Sequence, residues 1–451
     1  MWQKIKHHYQ HMSPFKMIAS YYLLTVIIAT LLLSLPFARQ MDVPSSFMDT
    51  LFLAFSAVSV TGLTTVNIGA TFSPFGVGIL LVILQIGGIG IMALATFLWI
   101  VTRRRISLRK RQLIMTDHNQ LSLSGMVRML KQVTLIFLLI ELTGAFVLGC
   151  YFLSYFSTWQ EAFLNGLFIA ASATTNAGFD LTGGSLIAFR DDYFVQTVLM
   201  MLIFLGAIGF PVLIEGKEFI KKRIRKQKAS FSLFAKITTV TYLLLFILGA
   251  VLFLILEAEY FLQGKSWQEA IFYGLFQSMS TRSAGLTTLD LTHLRMPTLL
   301  LFSLFMFIGA SPSSVGGGIR TTTFALNILF LYNFSRRRRS VQLFHREIHE
   351  EDLLKSFVVT LFAVIICFLA LFILSISENQ PFLALFFEVC SAFGTSGMSL
   401  GITAELSHIG KLILMLLMFI GRVGILSFIF IIGGNGRKRS YHYPKERIII
   451  G

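Results

Sequence analysis

Residues 56–69, SAVSVTGLTTVNIG, lie between two long apolar runs, yet they are too polar and too punctuated by glycine to cross a bilayer themselves. Their surroundings decide what such a segment does. Of the 451 residues 55% are hydrophobic and 13% charged, with a mean hydropathy of +0.75, a balance no water-soluble core accommodates. The chain is an integral membrane protein. Apolar runs recur at 17–37, 74–101, 132–156, 194–214, 233–256, 297–333, 356–376 and 410–433, each long enough for roughly 30 Å of hydrocarbon. About eight spanning helices are therefore expected. The first has no small-residue cleavage site before it and reads as a retained helix.

The net charge of +16 sits in RRRISLRKR (103–111), KEFIKKRIRKQK (217–228), RRRR (336–339) and RKR (437–439), each after an even-numbered span. The positive-inside rule places those loops and both termini in the cytoplasm of a multi-pass plasma-membrane protein. Lipid headgroups, not nucleic acid, are the expected partner of this charge. Cys150, Cys367 and Cys390 lie in apolar segments and read as packing residues.

The four outward connections resemble one another. They read SSFMDTLFLAFSAVSVTGL, STWQEAFLNGLFIAASATTNAGF, KSWQEAIFYGLFQSMSTRSAGL and NQPFLALFFEVCSAFGTSGM, ending near Gly62, Gly178, Gly285 and Gly397. Intervals of 116, 107 and 112 residues separate those glycines, a fourfold internal repeat. Ser46 to Asp49, Thr158 to Glu161 and Ser266 to Glu269 fit a capping box, and Pro381 suits the first helical position of the fourth. From each cap only about a dozen residues remain before the polar segment, so each short helix stops at membrane depth with its negative end inward, which favours a cation. Irregular backbone at that depth is tolerated where it lines a water-filled or ion-filled path. Four such segments around one axis present carbonyls that replace the water shell of a dehydrated monovalent cation, and glycine lets those carbonyls turn inward. The expected ion filter is Val60, Thr61 and Gly62; Asn176, Ala177 and Gly178; Ser283, Ala284 and Gly285; Thr395, Ser396 and Gly397.

At these residues the chain resembles the superfamily of Trk, Ktr and plant HKT potassium transporters over nearly its whole length, and, without the extra N-terminal hairpin of Trk members, it looks like the membrane subunit of a Ktr system. The resemblance implies potassium as the ion at the filter carbonyls, a homodimer with one pore per subunit, and a cytoplasmic ring of RCK-type nucleotide-binding regulatory subunits, the nucleotide acting only through that partner. Sodium as permeant or activator stays open. The fold class that follows is an all-α polytopic membrane protein of four outer helix, pore helix, filter and inner helix repeats around one pseudo-fourfold pore. The repeats are bounded as 1–112, 113–228, 229–340 with a gating loop, and 341–451 with a C-terminal tail.

Two departures from symmetry stand out. GASPSSVGGGIRTTT (309–323) breaks the sixth span at Pro312 and three consecutive glycines, and the resemblance makes Gly309, Ala310, Ser311, Pro312, Ser313, Ser314, Gly316, Gly317 and Gly318 an intramembrane gate. Arg422, near the middle of the last span, is expected to project into the cavity below the filter as an electrostatic barrier. Arg282 reads as a brace behind the filter, paired with Glu388 or another acid, and Glu141 is the second buried carboxylate available. Enzymatic motifs are nearly absent. GIGIMA (88–93) matches a dinucleotide fingerprint only formally, since it lies inside a span, and its glycines read as close-packing positions. The histidines show no metal spacing. A secondary transporter with a midplane site at the broken span is the alternative function. The apolar end of RSYHYPKERIIIG (439–451) is open between a dimer contact and a loose tail.

Overall fold

The computed structural model describes residues 14–40, 46–90, 126–338 and 340–433, with positions 444 and 446. The basic run 103–111, the end of the second apolar run, the 437–439 cluster and most of the C-terminal tail lie outside the described residues. Four times the chain runs through a long helix, a short helix, a glycine turn and a further apolar helix. The long helices are Pro14–Leu33, Met126–Phe152, Leu233–Glu257 and Glu350–Ser377. At 1.5 Å per residue each reaches about 30 Å or more. Leu24, Ile27 and Leu31 on the first, and Leu361, Phe368 and Phe372 on the last, are exposed, as a lipid-facing surface requires.

The short helices Phe47–Ser59, Trp159–Thr174, Trp267–Ser280 and Phe382–Gly394 start at caps where the local sequence places them. The hydroxyls of Ser46, Thr158 and Ser266 accept from the N–H groups of Asp49, Glu161 and Glu269. Pro381, expected at the first helical position, sits instead at the cap, one residue before the helix begins at Phe382. Each helix ends in fully buried residues, such as Ser56 to Ser59 and Ala170 to Thr174.

Among the described residues four helices are long and apolar enough to cross a membrane, or six when each bent pair counts once, against the eight expected. The shortfall lies in the helices that follow the glycine turns, called inner here because they pack on the ends of the short helices. Tyr193–Ala207 bends by 103° into Phe210–Ile224, and His408–Val423 by 102° into Ile425–Gly433. Pro74–Ile89 ends at Gly90, and Met296–Ile308 is separated from Thr321–Ser335 by the loop 309–320. Breaking was expected of the sixth span alone. Gly90, Gly209 and Gly424 adopt φ of 95°, 100° and 90° at the other breaks, a region in which a side chain is strained. Two smaller corrections concern Cys150, which is exposed, and a hairpin of Gln342–Leu343 with Arg346–Glu347 that no run of alternating residues announced.

One ion pair joins the first part of the chain to the last. Lys411 Nζ lies 3.0 Å from Asp49 Oδ1, with side chains only 10% and 20% exposed. Burial pushes the Asp49 carboxyl up, but hydrogen bonds from Ser46 and Lys411, with the Lys411 charge, outweigh it and hold the group below the usual carboxylate range. A depressed value stabilises the fold above the unfolded pKa of about 4, and that contribution is lost as pH falls through the folded value. Lys411→Met is expected to leave Asp49 partly buried without its cation and to destabilise the protein by about 1–2 kcal/mol at neutral pH. Thermal unfolding in detergent reads this directly: Lys411→Met should melt several degrees below wild type at pH 7, with the gap closing below about pH 4. An equal melting temperature at pH 7 would mean the pair contributes nothing.

Candidate ion pathway

The four glycines of the turns meet in a closed ring. A Cβ built on Gly62 would lie 2.4 Å from the Ala177 carbonyl oxygen, one on Gly178 2.7 Å from that of Ala284, one on Gly285 2.3 Å from that of Ser396, and one on Gly397 2.2 Å from that of Thr61. Each glycine therefore faces the carbonyl before the next glycine, in chain order, until the fourth returns to the first. All four have positive φ, between 68° and 97°. No residue with a Cβ fits this approach without moving backbone. Val60, Asn176 and Thr395, two residues before their glycines, are left-handed as well, at φ 57°, 51° and 47°. Ser283, the corresponding residue of the third turn, is not in that conformation, its φ being 158°.

Outside the ring opens a cavity of about 600 Å³ whose floor is the four glycines. Asp180 and Asp290 line it. The side chain and N–H of Thr292 hydrogen-bond Asp290 and hold its carboxyl below the usual range, so it stays anionic in the mouth. Neither acid was singled out from sequence, because nothing local distinguishes them from other loop acids.

On the other side of the ring lies the loop 309–320. Gly316 packs on Ser283, where a Cβ would come 2.0 Å from Oγ, and Gly317 packs on Thr395, at 2.6 Å from Oγ1. The loop bonds to the break of the second inner helix: Ser311 N–H donates to Ala207 O at 3.2 Å, and Phe210 N–H to Ser313 O at 2.9 Å. Gly209 presses on Pro312, whose carbonyl would lie 2.7 Å from an added Cβ. Ala310, Ser314 and Gly318 are buried in the same loop, and Gly309 and Gly318 both have positive φ. Beneath the ring the loop, which interrupts the third inner helix, is thus tied to the break of the second.

The TrkH cation transport protein model matches residues 2–433. The chain belongs to this family. It is 53% identical to the Ktr system potassium uptake protein D of Bacillus subtilis over 98% of both chains. It is 33% identical to the Ktr system potassium uptake protein B of the same organism over 97% of each. The crystal structure of the potassium transporter TrkH from Vibrio parahaemolyticus has the same fold, with a TM-score of 0.71 at 17% identity over 94% of this chain and 86% of that one. The resemblance read from the turns was to the right superfamily, and the chain is a membrane transport protein, not an enzyme.

Within this TrkH-family chain three arginines near the ring, Arg282 buried and Arg320 and Arg422 half-buried, find partners that the sequence does not disclose. Arg422 closes the helix His408–Val423, and its guanidinium donates to the carbonyls of Val315 in the loop and of Gly87 in the first inner helix, with Gly88 O at 3.4 Å. Those glycine carbonyls lie at the C-terminal end of Pro74–Ile89, where intrahelical donors run out. Arg320 folds back on the loop, donating to Gly316 O and, at 3.3 Å, to Ser311 O. Arg282 is a correction. It is 1% exposed, yet its partners are the Tyr242 carbonyl at 2.7 Å and the Tyr242 ring at 3.9 Å, not Glu388. Glu388 instead accepts from Ser399 and Thr403, and Glu141 from Gln85 at 2.5 Å. Gly88 is a close-packing position, with an added Cβ 2.6 Å from Thr175 Cγ2, while residues 91–93 of that motif lie outside the described residues.

Proposed function

We propose that this protein is the channel-like, ion-translocating subunit of a Ktr-type potassium uptake system in the plasma membrane. The observation that carries the proposal is the closed ring of Gly62, Gly178, Gly285 and Gly397 with the carbonyls of Thr61, Ala177, Ala284 and Ser396 between them. Four short helices direct the negative ends of their dipoles toward that ring, which suits a dehydrated cation. Potassium is the ion because relatives at 53% and 33% identity carry that name. Val60, Asn176, Ser283 and Thr395 complete the four filter strands, and the repeats run 1–112, 113–228, 229–340 and 341–451, each spanning twice, so that both termini lie in the cytoplasm. Residues 309–318 with Arg422 form the gate. A homodimer, with a nucleotide-binding ring docked on its basic cytoplasmic loops, completes the system, and sodium is a candidate activator.

A coupled transporter is the competing reading, favoured by the breaks in several inner helices. Potassium uptake into proteoliposomes containing the purified chain separates the two. A pore moves K+ down its gradient at a set membrane potential whether or not a Na+ or proton gradient is present. Uptake that stops when the second gradient is removed would overturn the pore.

A further inference from the structure

The ring is not braced alike on all sides. Ser56 Oγ accepts from the N–H of Gly62 at 3.1 Å, and Ser391 Oγ accepts from the N–H of Gly397 at the same distance, each across six residues. Both serines are 0% exposed, on the last turns of their short helices. In the other two turns that arrangement is lost. Ser172 stands six residues before Gly178, but its hydroxyl has no partner among the described residues. Met279 takes the place before Gly285, whose N–H reaches the Ser280 carbonyl at a long 3.4 Å, while the Ser280 hydroxyl donates to Leu286 O.

Across a planar trans peptide the N–H of one residue and the C=O of the residue before it point in opposite directions. Holding the Gly62 N–H back toward the short helix therefore aims the Thr61 carbonyl the other way, into the ring. The same holds for Gly397 and the Ser396 carbonyl. These two carbonyls are the ones against which Gly397 and Gly285 pack, so their direction also spaces the neighbouring strands.

We infer that Ser56 and Ser391 are positioning residues for ion discrimination, fixing the peptide planes of the first and fourth strands, which are neighbours in the ring. The second and third strands, whose ring amides receive no such hydroxyl bond, are the compliant half. This rests on the reading of the ring as the ion filter. A carbonyl free to swing adapts to the smaller Na+, whereas a pinned one holds the spacing K+ requires.

The test measures K+ and Na+ uptake in proteoliposomes for Ser56→Ala, Ser391→Ala, Ser172→Ala and Gly62→Ser. Loss of folded protein scales both fluxes together, so the K+ to Na+ ratio isolates discrimination. Ser56→Ala and Ser391→Ala should each lower that ratio by about fivefold or more, because a buried amide loses its acceptor. Ser172→Ala should leave it at the wild-type value. Ser391→Cys, nearly the same size with a poor acceptor, serves where alanine impairs folding, and it should lower the ratio as well. Wild-type ratios in both serine variants alongside a lowered ratio in Gly62→Ser would overturn the brace and leave the filter standing. An equal fall in all three serine variants would likewise overturn it, as a packing effect. A wild-type ratio in Gly62→Ser would overturn the filter and the brace together.

Discussion

Gly62→Ser is expected to lower the ratio of K+ to Na+ uptake by about tenfold or more. A Cβ at this position would stand 2.4 Å from the Ala177 carbonyl oxygen and 3.1 Å from the Gly178 Cα, and both are backbone atoms that cannot rotate aside. The residue also holds φ of +97°, which a serine adopts only under strain of about 1–3 kcal/mol. Relief comes from moving the second strand away from the first, which widens the ring at the carbonyls themselves. Because the four glycines contact one another in a cycle, the shift passes to Gly178 and onward. Gly397→Ala, with Thr61 O only 2.2 Å from the added carbon, should act in the same direction. Paired 86Rb and 22Na uptake checks both variants. Unchanged ratios in folded protein would remove the ring from the ion path.

The second large effect concerns the loop. Arg422→Ala removes the donors that join the Val315 carbonyl of the loop to the Gly87 carbonyl of the first inner helix, and it removes a positive charge beneath the ring. Hydrogen bonds from a charged donor contribute about 1.5–3 kcal/mol each, so losing them shifts a closed to open equilibrium by about tenfold or more. Potassium flux should rise by about that factor. Deleting residues 313–316 should raise it too, since the deletion takes away the contacts of Gly316 with Ser283 and of Ser313 with Phe210. Initial rates of K+ uptake at saturating ion, normalised to reconstituted protein, give the comparison. If both variants carried wild-type or lower flux with an unchanged K+ to Na+ ratio, the loop would be a structural plug and not a gate.

Three short helices begin where a serine or threonine precedes an acid by three residues, and the glycine turns follow at the expected positions. These features are legible because a cap and a turn are decided within about four residues of chain. The family was legible for a related reason: its marks are glycine turns that recur at near-equal intervals, which can be counted without knowing where the chain goes.

What the sequence by itself determined is therefore local and periodic: membrane residence from composition, helix starts from caps, turns from glycine, and the break at Pro312 from residues that cannot continue a helix. Only the tertiary structure decided which groups meet. Arg282 was assigned an acid because a buried charge needs compensation, but the aromatic face and carbonyl of Tyr242, forty residues away, supply it instead. Arg422 finds Gly87 across 335 residues and Lys411 finds Asp49 across 362. The bends at Gly209 and Gly424 look in sequence like ordinary glycines in apolar helices, yet both take positive φ in the fold, and at Gly209 the backbone presses on Pro312 of the loop. The difference between Ser391 and Ser172 is likewise not written in the sequence: both stand six residues before a ring glycine, and in the fold only the Ser391 hydroxyl meets an amide.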